Sequence, residues 1–468
     1  MLFSGLPFLF YFLPVTLLLY FLVPRWWKNL VLLAASLFFY AWGEPKFVVF
    51  MLVSILLGYF SGLLIERYRP SPRLSRILLT LSVTLILSLL VYCKYADFLL
   101  STVSAVLQKE IPRIGITLPI GISFYTFQIT SYVVDVYRGD VAAQKNLIDL
   151  AAYVALFPQL IAGPIVRYAD IAKELTARTH TLDAITQGVT RFLIGLSKKV
   201  LIANVLYELL TTYKATAAPS VLFSWLYAVT CMLHIYFDFS GYSDMAIGLG
   251  RIFGFTFPEN FDYPYISASV TEFWRRWHKT LGSFFRDYVY IPLGGNRCGT
   301  AKQVRNLLVV WFLTGLWHGA NWTFVVWGLY YAAFLILEKF VLKNALPRIP
   351  KPLCHLGTLL VVLVGWVFFR APSLSDAIAY LSAMFGLRAG VNQGQAVYYL
   401  REYAAEWIFC AAASLPLLPW LRTWCENRTK AVQNLTYAAE KLGASAVFLY
   451  SYVKLATGSF NPFIYFHF

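Results

Sequence analysis

Charged residues are scarce in this chain: only 13% of its 468 residues are Asp, Glu, Lys or Arg, and 59% are hydrophobic. Because an ordinary soluble domain carries roughly 25% charged residues, this scarcity excludes a single water-soluble globule. Cysteine is also rare. The six cysteines form no CxxC pair and show no metal-ligand spacing, which excludes a small disulfide scaffold and gives no support for a zinc or redox site. The abundance of apolar residues excludes a disordered chain. What remains is a membrane protein that crosses the bilayer several times.

Negative charge is the scarcer sign, since 39 Lys and Arg residues outnumber 23 Asp and Glu residues and give a net charge of +16. Here the basic residues cluster in short gaps between apolar runs, so we expect no nucleic-acid partner and interpret them as topology signals and anion contacts. The gap 66–76 is rich in arginine, whereas the gap 43–46 is nearly neutral. The positive-inside rule therefore predicts an N-terminus outside the cytosol.

Apolar runs alternate with these gaps along the chain. The first run has no preceding basic residue and no small-residue cleavage site, so we expect a retained span and not a removable signal peptide. Some runs are short or carry polar residues, which favours re-entrant or buried helices at those places. The runs are Leu2 to Val23, Leu30 to Trp42, Phe47 to Ile65, Ile77 to Tyr92, Ile116 to Val134, Leu150 to Val166, Gly188 to Leu210, Val221 to Asp238, Leu307 to His318, Ala320 to Leu337, Gly357 to Phe369, Ala404 to Leu418 and Ala444 to Ala456.

We therefore predict an all-α fold, a polytopic membrane bundle of about eleven spans with additional re-entrant and interfacial helices. Residues 1–468 are interpreted as one integral-membrane domain, with N-terminal helical hairpins over 1–110, a core that carries the chemistry over 111–340 and C-terminal helices over 341–468. No internal repeat of fixed period is visible, which argues against a transporter built from inverted repeats. The aromatic share of 18% predicts aromatic belts at both membrane surfaces.

The segment Asp262 to Arg305 interrupts the apolar pattern and is net positive, so we place it on the cytosolic side. Within it, His278 lies in an aromatic and basic cluster. Such a cluster suits a phosphate-bearing cofactor whose base stacks on an aromatic ring. It is equally typical of an interfacial anchoring helix, because a membrane surface also selects Trp and Arg. The other members of the cluster are Trp274, Arg275, Arg276, Trp277 and Lys279.

His318 lies inside an apolar run, where an ionisable side chain is costly and indicates a functional site. It follows Arg305 by thirteen residues, roughly 20 Å of rise in a continuous helix, which places it near the middle of a bilayer. Gly315 and Gly319 would let a backbone or a substrate approach its imidazole, and Asn321 offers an amide nearby. The alternative is a histidine that only hydrogen-bonds a neighbouring helix.

His234 and Asp238 are four residues apart and would share a helix face, as a His–Asp dyad or as two metal ligands. Because no third ligand is in sight, a polar pair inside a bundle is the favoured interpretation and no metal site is predicted. The remaining histidines, His180, His355 and His467, fall in loops or at the chain end and receive no role. The signatures of a nucleophile elbow, a P-loop and an HExxH metalloprotease are missing.

Seven short motifs occur between residues 118 and 321. They are LPIGISFY at 118–125, LIAGP at 160–164, YFDFSGYSDMA at 236–246, SVTEFWRRWH at 269–278, RDY at 286–288, LGGNR at 293–297 and GLWHGAN at 315–321. In order and spacing they resemble the membrane-bound O-acyltransferase superfamily and, within it, the bacterial members that acetylate alginate and related exopolysaccharides. The resemblance covers about Met1 to Arg370. Each motif alone is weak evidence, whereas the set is specific.

The resemblance implies an O-acetyltransferase whose helices surround a central funnel. It would take acetyl groups from cytosolic acetyl-CoA, a donor substrate and not a tightly bound cofactor, toward a hydroxyl of a polysaccharide outside the membrane. The histidine that matches His318 is the catalytic one in the family, and the histidine that matches His278 is a second functional position. His318 would act as a general base or would carry the acetyl group transiently.

The resemblance also suggests which residues hold the donor and the chamber. The basic cluster would receive the CoA phosphates, and buried polar groups would form a hydrogen-bond network in which Asp238 and Asp244 orient an imidazole or join helices. The predicted donor-binding residues are Trp274, Arg275, Arg276, Lys279, Arg286 and Arg297. The predicted supporting network is Asp238, Ser240, Tyr242, Ser243, Asp244 and Asn321.

Related acetylation systems pass the acetyl group to a separate extracytoplasmic transferase, so a partner of the SGNH type with a Ser–His–Asp site is implied, together with a location in the bacterial cytoplasmic membrane. Two alternatives stay open. One is D-alanyl transfer to teichoic acid from a carrier-protein thioester. The other is a non-enzymatic transporter or channel, which predicts solute flux and no acyl chemistry.

Overall fold

The chain is helical throughout the part that the computed structural model describes, which is residues 1–216, 219–387, 390 and 393–458, without the side chain of Arg422. Within these residues the only paired extended backbone is an isolated bridge between Ser220 and Gly390. The all-α prediction is confirmed. His467, for which no role is predicted, lies outside the described residues.

Two compact units make up the described chain. The first unit comprises Met1–Phe192 and Met245–Pro258, and the second comprises Leu193–Asp244 and the chain that follows Pro258.

The first unit contains eight complete helices, most of a ninth and the end of α11. A π-helical turn at Phe8–Phe12 precedes α1, and short 3-10 turns at Arg25–Trp27 and Pro45–Phe47 precede α2 and α3. The helices are α1 (Leu13–Leu22), α2 (Lys28–Gly43), α3 (Val48–Arg67), α4 (Pro72–Leu107), α5 (Ile122–Arg138), α6 (Leu147–Ala155), α7 (Phe157–Leu160), α8 (Tyr168–Thr176) and α9 (Leu182–Ser197).

The structure corrects one predicted span, Ile116 to Val134, because its helix α5 begins only at Ile122. Gly121 precedes the helix in a left-handed conformation, with φ +77°. A Cβ at this position would lie 2.6 Å from the carbonyl oxygen of Leu160, so both the backbone angle and the close approach require glycine.

The predicted span Leu150 to Val166 is also corrected. It consists of α6 and α7, which are separated at Leu156 and have nine and four residues. Every residue from Leu150 to Val166 is buried. At 1.5 Å per residue neither helix reaches across a bilayer, so this apolar run packs inside the protein, as the expectation of buried helices allows.

The second unit contains α10 and the helices that follow it, with the first part of α11. π-helical turns at Lys198–Ala203, Arg286–Tyr290 and Leu337–Val341 and 3-10 turns at Pro264–Ile266 and Leu346–Arg348 lie between them. The helices are α10 (Asn204–Ala215), α11 (Val221–Ile252), α12 (Val270–Arg276), α13 (Lys279–Phe285), α14 (Thr300–His318), α15 (Trp322–Ile336), α16 (Lys351–Arg370), α17 (Leu374–Met384), α18 (Gly394–Glu402), α19 (Ala404–Ala413), α20 (Leu417–Glu426) and α21 (Lys430–Ala456).

Five helical segments of the described chain are long and apolar enough to cross a membrane, or six if the bent pair α19 and α20 forms one broken span. The predicted count of about eleven spans is not confirmed, whereas a multi-pass membrane protein is. The most apolar part of α11 is 78% buried within the protein, against 22% to 39% for the other four, so α11 is enclosed by other helices. The five are Pro45–Arg67, Pro72–Leu107, Val221–Ile252, Trp322–Val341 and Lys351–Arg370.

Candidate functional site

His318 is the last residue of α14, a helix that runs without a break from Thr300. The predicted separation of roughly 20 Å between Arg305 and His318 assumes such a continuous helix. The next helix, α15, starts after Asn321, whose side-chain oxygen accepts a hydrogen bond from the backbone N–H of Thr323 at 3.1 Å. The side-chain amide of Asn321 donates to the carbonyl oxygen of Pro372 at 2.9 Å. Asn321, predicted as a member of the polar network, therefore caps α15 and ties it to the start of α17.

Helices α14 and α15 approach each other closely because glycines face the opposite backbone. A Cβ on Gly315 would overlap with the carbonyl oxygen of Phe324, and a Cβ on Gly328 would overlap with the carbonyl oxygen of Trp311. The space beside Gly319 is filled by the ring of Phe324. The small residues around His318 are expected to admit either a neighbouring backbone or a substrate. In the structure they admit the backbone and ring of the neighbouring helix.

Aromatic rings surround the imidazole of His318. Its ring centroid lies 5.0 Å from that of Trp327 and 5.1 Å from those of Trp317 and Phe369, each in an edge-to-face arrangement. Only 6% of His318 is exposed. Such walls exclude water from the imidazole.

His278 lies between α12 and α13 in a left-handed backbone conformation, with φ +44°. It is 1% exposed, and burial lowers its pKa from 6.5 to about 3, so the neutral ring predominates at physiological pH. Its Nδ1 lies 2.9 Å from the side-chain oxygen of Asn260, which also accepts a hydrogen bond from the hydroxyl of Thr280 at 2.9 Å.

This hydrogen bond assigns the tautomer of His278. An amide oxygen only accepts, so Nδ1 carries the proton and Nε2 keeps its lone pair. Nε2 is buried and has no hydrogen-bond partner among the described residues. His278 therefore presents a basic nitrogen inside the second unit.

The two predicted catalytic histidines meet at one indole. The ring of Trp317 lies 5.8 Å from that of His278 and 5.1 Å from that of His318. Phe239 of α11 contacts His278 from another side, at 4.8 Å. Residues that are forty positions apart in the sequence thus belong to one buried site.

Trp274, predicted to stack on a donor base, forms part of an aromatic wall. Its ring packs edge-to-face on Trp311 at 4.6 Å, Tyr331 at 4.8 Å and Trp327 at 5.5 Å. Its predicted role in donor binding stays a prediction, and protein rings already contact it at three places.

The helix that carries Trp274 is fixed at its N-terminus by a carboxylate. Glu338 accepts hydrogen bonds from the backbone N–H groups of Val270 and Thr271 at 2.7 and 2.8 Å, and from the Thr271 hydroxyl at 2.6 Å. The negative charge of Glu338 also interacts favourably with the partial positive charge at the N-terminus of α12.

The predicted basic residues divide into two groups by their partners. Arg275, Lys279 and Arg297 are exposed. Arg276 and Arg286 form ion pairs: Arg276 with Glu272 at 3.0 Å and with Asp262 at 3.1 Å, and Arg286, which is also exposed, with Asp287 at 2.6 Å. Part of the positive charge expected to meet an anionic donor is therefore neutralised within the protein.

The predicted polar network on α11 contains two ion pairs with lysines. Asp238 binds Lys199 at 2.5 Å with both side chains almost fully buried, and Asp244 binds Lys198 at 2.7 Å. Both lysines belong to the π-helical turn 198–203. Of the two roles expected for these carboxylates, the ion pairs supply the second, since they join this turn to α11.

The remaining members of the predicted network are Ser240, Tyr242 and Ser243, which are all buried on α11. The hydroxyl oxygens of Ser240 and Ser243 have no hydrogen-bond partner within the described part of the chain. They add to the buried polar side chains of α11, which include Asp238 and Asp244.

Sequence reasoning missed Asn260, Thr280, Glu338 and the two lysines. The lysines carry a signal that the sequence offers, since an ionisable residue in an apolar run indicates a special role. No spacing rule connects Asn260 to His278, because a loop and not a helix or strand brings them together.

The sequence also matches a family of known proteins. Residues 35–376 match the family model described as membrane-bound O-acyltransferase. A probable alginate O-acetylase of Azotobacter vinelandii is 40% identical, with 100% of both chains covered. A probable alginate O-acetylase of Pseudomonas aeruginosa is 46% identical over 82% of this chain and 75% of that protein. A peptidoglycan O-acetyltransferase of Helicobacter pylori is 35% identical over 87% of this chain and 83% of that protein.

Proposed function

Since the chain belongs to the membrane-bound O-acyltransferase family and is an O-acyltransferase, we propose that it moves acetyl groups from cytosolic acetyl-CoA across the membrane for O-acetylation of an exported, alginate-like polysaccharide. The single observation that carries the chemistry is the buried pair His278 and His318 in contact with one indole, Trp317. The acetyl group and the polysaccharide are suggested by the names of relatives that align with most of the chain.

The reaction exchanges a thioester for an oxygen ester. The acceptor hydroxyl oxygen attacks the thioester carbonyl carbon while the imidazole of His318 takes the hydroxyl proton. The C–S bond breaks, and the departing thiolate takes that proton from the imidazolium, which leaves the acetyl ester and free CoA. His278 accepts, through Nε2, a hydrogen bond from a second N–H or O–H group of the substrates and so positions them beside His318. The aromatic walls exclude water, which would hydrolyse the thioester.

The exposed cations beside His278 are the best candidates to receive the donor phosphates. Arg275 and Lys279 flank His278 in the sequence and are exposed, and Arg297 is exposed in the loop before α14. We propose that they bind the phosphates, with Arg276 and Arg286 contributing less because carboxylates already hold them.

We further propose that the protein lies in the bacterial cytoplasmic membrane with its N-terminus outside, and that a separate extracytoplasmic transferase of the SGNH type receives the acetyl group. We propose a partner because, in the described chain, aromatic rings enclose His318 closely. Such a site suits a small acyl group better than a long polymer.

The test is release of free CoA from acetyl-CoA by the purified protein in detergent, with an oligosaccharide acceptor. We expect His318→Ala to reduce release by roughly 10²- to 10⁴-fold, the usual contribution of a general base. His278→Ala should cause a severe but incomplete loss. His355→Ala is the matched control, and it should retain activity. Normal release by His318→Ala would exclude this mechanism.

A second donor separates the acyl specificities. An acetyl-CoA-dependent release supports the proposed donor, whereas turnover of a D-alanyl carrier-protein thioester alone would assign the chain to teichoic acid D-alanylation. Flux of a solute without turnover of either thioester would favour a transporter.

A further inference from the structure

The first unit contains a polar cavity that the acyl-transfer chemistry does not use. Its volume is about 230 Å³, and its walls come from the turn before α2 and from the end of α8 with the loop that follows. Four of its six wall residues are basic. The wall residues are Arg25, Lys28, Leu175, Thr176, Arg178 and His180.

Hydrogen bonds and ring contacts hold two of these basic side chains in place. The hydroxyl of Tyr20 donates to the carbonyl oxygen of Phe253 at 2.7 Å, so it accepts from Nε2 of His180 at 2.9 Å. The guanidinium of Arg178 donates to the side-chain oxygen of Asn29 at 2.5 Å and lies 4.5 Å from the ring centroid of Phe255.

The other two basic side chains complete the wall. The ammonium of Lys28 lies 4.6 Å from the ring centroid of Tyr20, and Arg25 donates to the carbonyl oxygen of Thr176 at 3.1 Å. Both contacts orient a cation without neutralising it.

The nearest carboxylates bind other groups. Asp149 accepts from the side-chain amide of Asn29 at 2.7 Å, and Glu174 accepts from the backbone N–H of Thr256 at 3.2 Å. Neither carboxylate lines the cavity. One nitrogen of the Arg178 guanidinium, Nη1, is buried and has no hydrogen-bond partner among the described residues.

Positive charge therefore predominates among the groups that line this cavity, with Asp149 and Glu174 acting on Arg178 from outside it. Burial, together with the positive charges of Lys28 and Arg178, lowers the pKa of His180. An anion between these groups would relieve their mutual repulsion and satisfy the buried guanidinium nitrogen.

We propose that this cavity is a binding site for a phosphate ester. A tetrahedral anion presents several oxygens to donors that converge from different directions, and Nη1 of Arg178 matches one of them. A carboxylate would leave donors on one side unused. The site goes beyond acyl transfer and involves neither His278 nor His318.

The phosphate has two possible sources, a phospholipid headgroup or a water-soluble phosphate ester. Exposed aromatic side chains beside the cavity favour the lipid, because such rings lie at the headgroup level of a membrane. Trp26 is 77% exposed, and Trp27 and Phe21 are each 43% exposed.

The first experiment measures the melting temperature of the delipidated protein in neutral detergent, with inorganic phosphate exchanged for chloride at constant ionic strength. We expect a saturable rise for the wild type, because a ligand that binds only the folded state stabilises it. Lys28→Gln and Arg178→Gln should lose this rise. Lys46→Gln, which removes an exposed positive charge elsewhere in the same unit, is the matched control and should keep it.

Arg178 is partly buried, so its substitution could unfold the protein, and a lost rise in melting temperature would then not report lost binding. Lys28→Gln and Arg25→Gln alter side chains at the surface and keep the test decisive. No phosphate-specific rise in the wild type, or an equal rise in Lys28→Gln and Lys46→Gln, overturns the proposal.

The second experiment identifies the source. The wild type is reconstituted into nanodiscs of phosphatidylglycerol, and the phosphate titration is repeated. If the headgroup occupies the cavity, inorganic phosphate no longer raises the melting temperature. If the rise persists, the site takes a soluble phosphate ester. Both results support a phosphate site, and the first experiment alone decides whether it exists.

Discussion

Asn260 determines which nitrogen of His278 carries the proton and which keeps its lone pair. Its side-chain oxygen accepts both the Nδ1–H of His278 and the hydroxyl of Thr280, each at 2.9 Å. With the amide oxygen at this position both donors converge on it, and Nδ1 of His278 carries the proton. Asn260 is thus a positioning residue that keeps the lone pair on Nε2.

Removal of this acceptor should slow the reaction without weakening substrate binding. We expect Asn260→Ala to lower kcat for CoA release by roughly 10- to 100-fold, as when a partner that orients a histidine is lost, and to leave KM for acetyl-CoA unchanged. Asn260→Asp keeps an oxygen acceptor and should restore much of kcat. Its carboxylate would raise the pKa of His278, so the acid limb of its pH profile should move to higher pH. Equal losses in both variants, with a changed KM, would indicate a merely structural role.

Burial of His278 should make the protein sensitive to acid. Its pKa is lowered from 6.5 to about 3, so between these values the unfolded chain binds a proton that the folded chain does not. The free energy of unfolding should therefore fall with decreasing pH in this window, by up to about 1.4 kcal/mol per pH unit from this group. His278→Gln lacks the titration, and its melting temperature should fall less steeply from pH 6.5 downward. Parallel curves for the two proteins would contradict this assignment.

At the residue scale the sequence predicts the histidines better than their partners. His318 stands out because it interrupts an apolar run, and His278 because basic and aromatic residues surround it. Asn260 is an ordinary polar residue in a loop, and its contact with His278 depends on tertiary structure. Lys199 was overlooked although the rule that selected His318 also applies to a lysine in an apolar run.

At the scale of helices, the contact between α14 and α15 places His318. Gly328 faces the carbonyl oxygen of Trp311, and Gly315 faces that of Phe324. Alanine is the better helix former by about 1 kcal/mol, so glycine in both helices is explained by the close approach of the backbones.

Gly328→Ala should therefore destabilise the protein. Overpacking costs about 1 to 3 kcal/mol, more than alanine gains in helix propensity. The shift of α14 should also reduce CoA release through His318. Gly357→Ala on α16 is the matched control, because no atom lies within 4 Å of its Cβ. It should leave the melting temperature unchanged or raise it. If Gly328→Ala melts no lower than Gly357→Ala, the close contact is not required.

The sequence predicts where some helices lie along the chain better than it predicts whether lipid or protein surrounds them. The runs Phe47 to Ile65 and Gly357 to Phe369 correspond to α3 and α16: the bounds of α3 lie within two residues of the predicted ones, and α16 begins six residues earlier than predicted. The run Leu150 to Val166 is equally apolar, but it is divided into α6 and α7 and is wholly buried. Apolar composition reports that a segment avoids water and does not distinguish lipid from protein as its surroundings.

For the molecule as a whole, composition predicts a membrane protein but does not give the number of membrane spans. Scarce charge and abundant apolar residues require a membrane protein. Counting apolar runs gave about eleven spans, against five or six by helix length and composition in the described chain. Helices α6 and α7 illustrate the difference, since the apolar run that contains them is buried within the protein and is not among the five.

The direction of the chain in the membrane can be tested at the two ends of α3. The segment Pro45–Arg67 has 23 residues, about 34 Å of helical rise, so its ends lie on opposite sides of the bilayer. The arginine-rich gap after it should face the cytosol, and the neutral gap before it should face outside. Lys46 and Ser71 are exposed positions in these two gaps.

In a background in which the half-exposed Cys298 and Cys354 are replaced by Ser, we expect Lys46→Cys to react with an impermeant maleimide in intact spheroplasts. Ser71→Cys should react only after permeabilisation. The opposite labelling pattern would place Arg25 and the other basic gaps outside, and a cytosolic donor could then not be maintained.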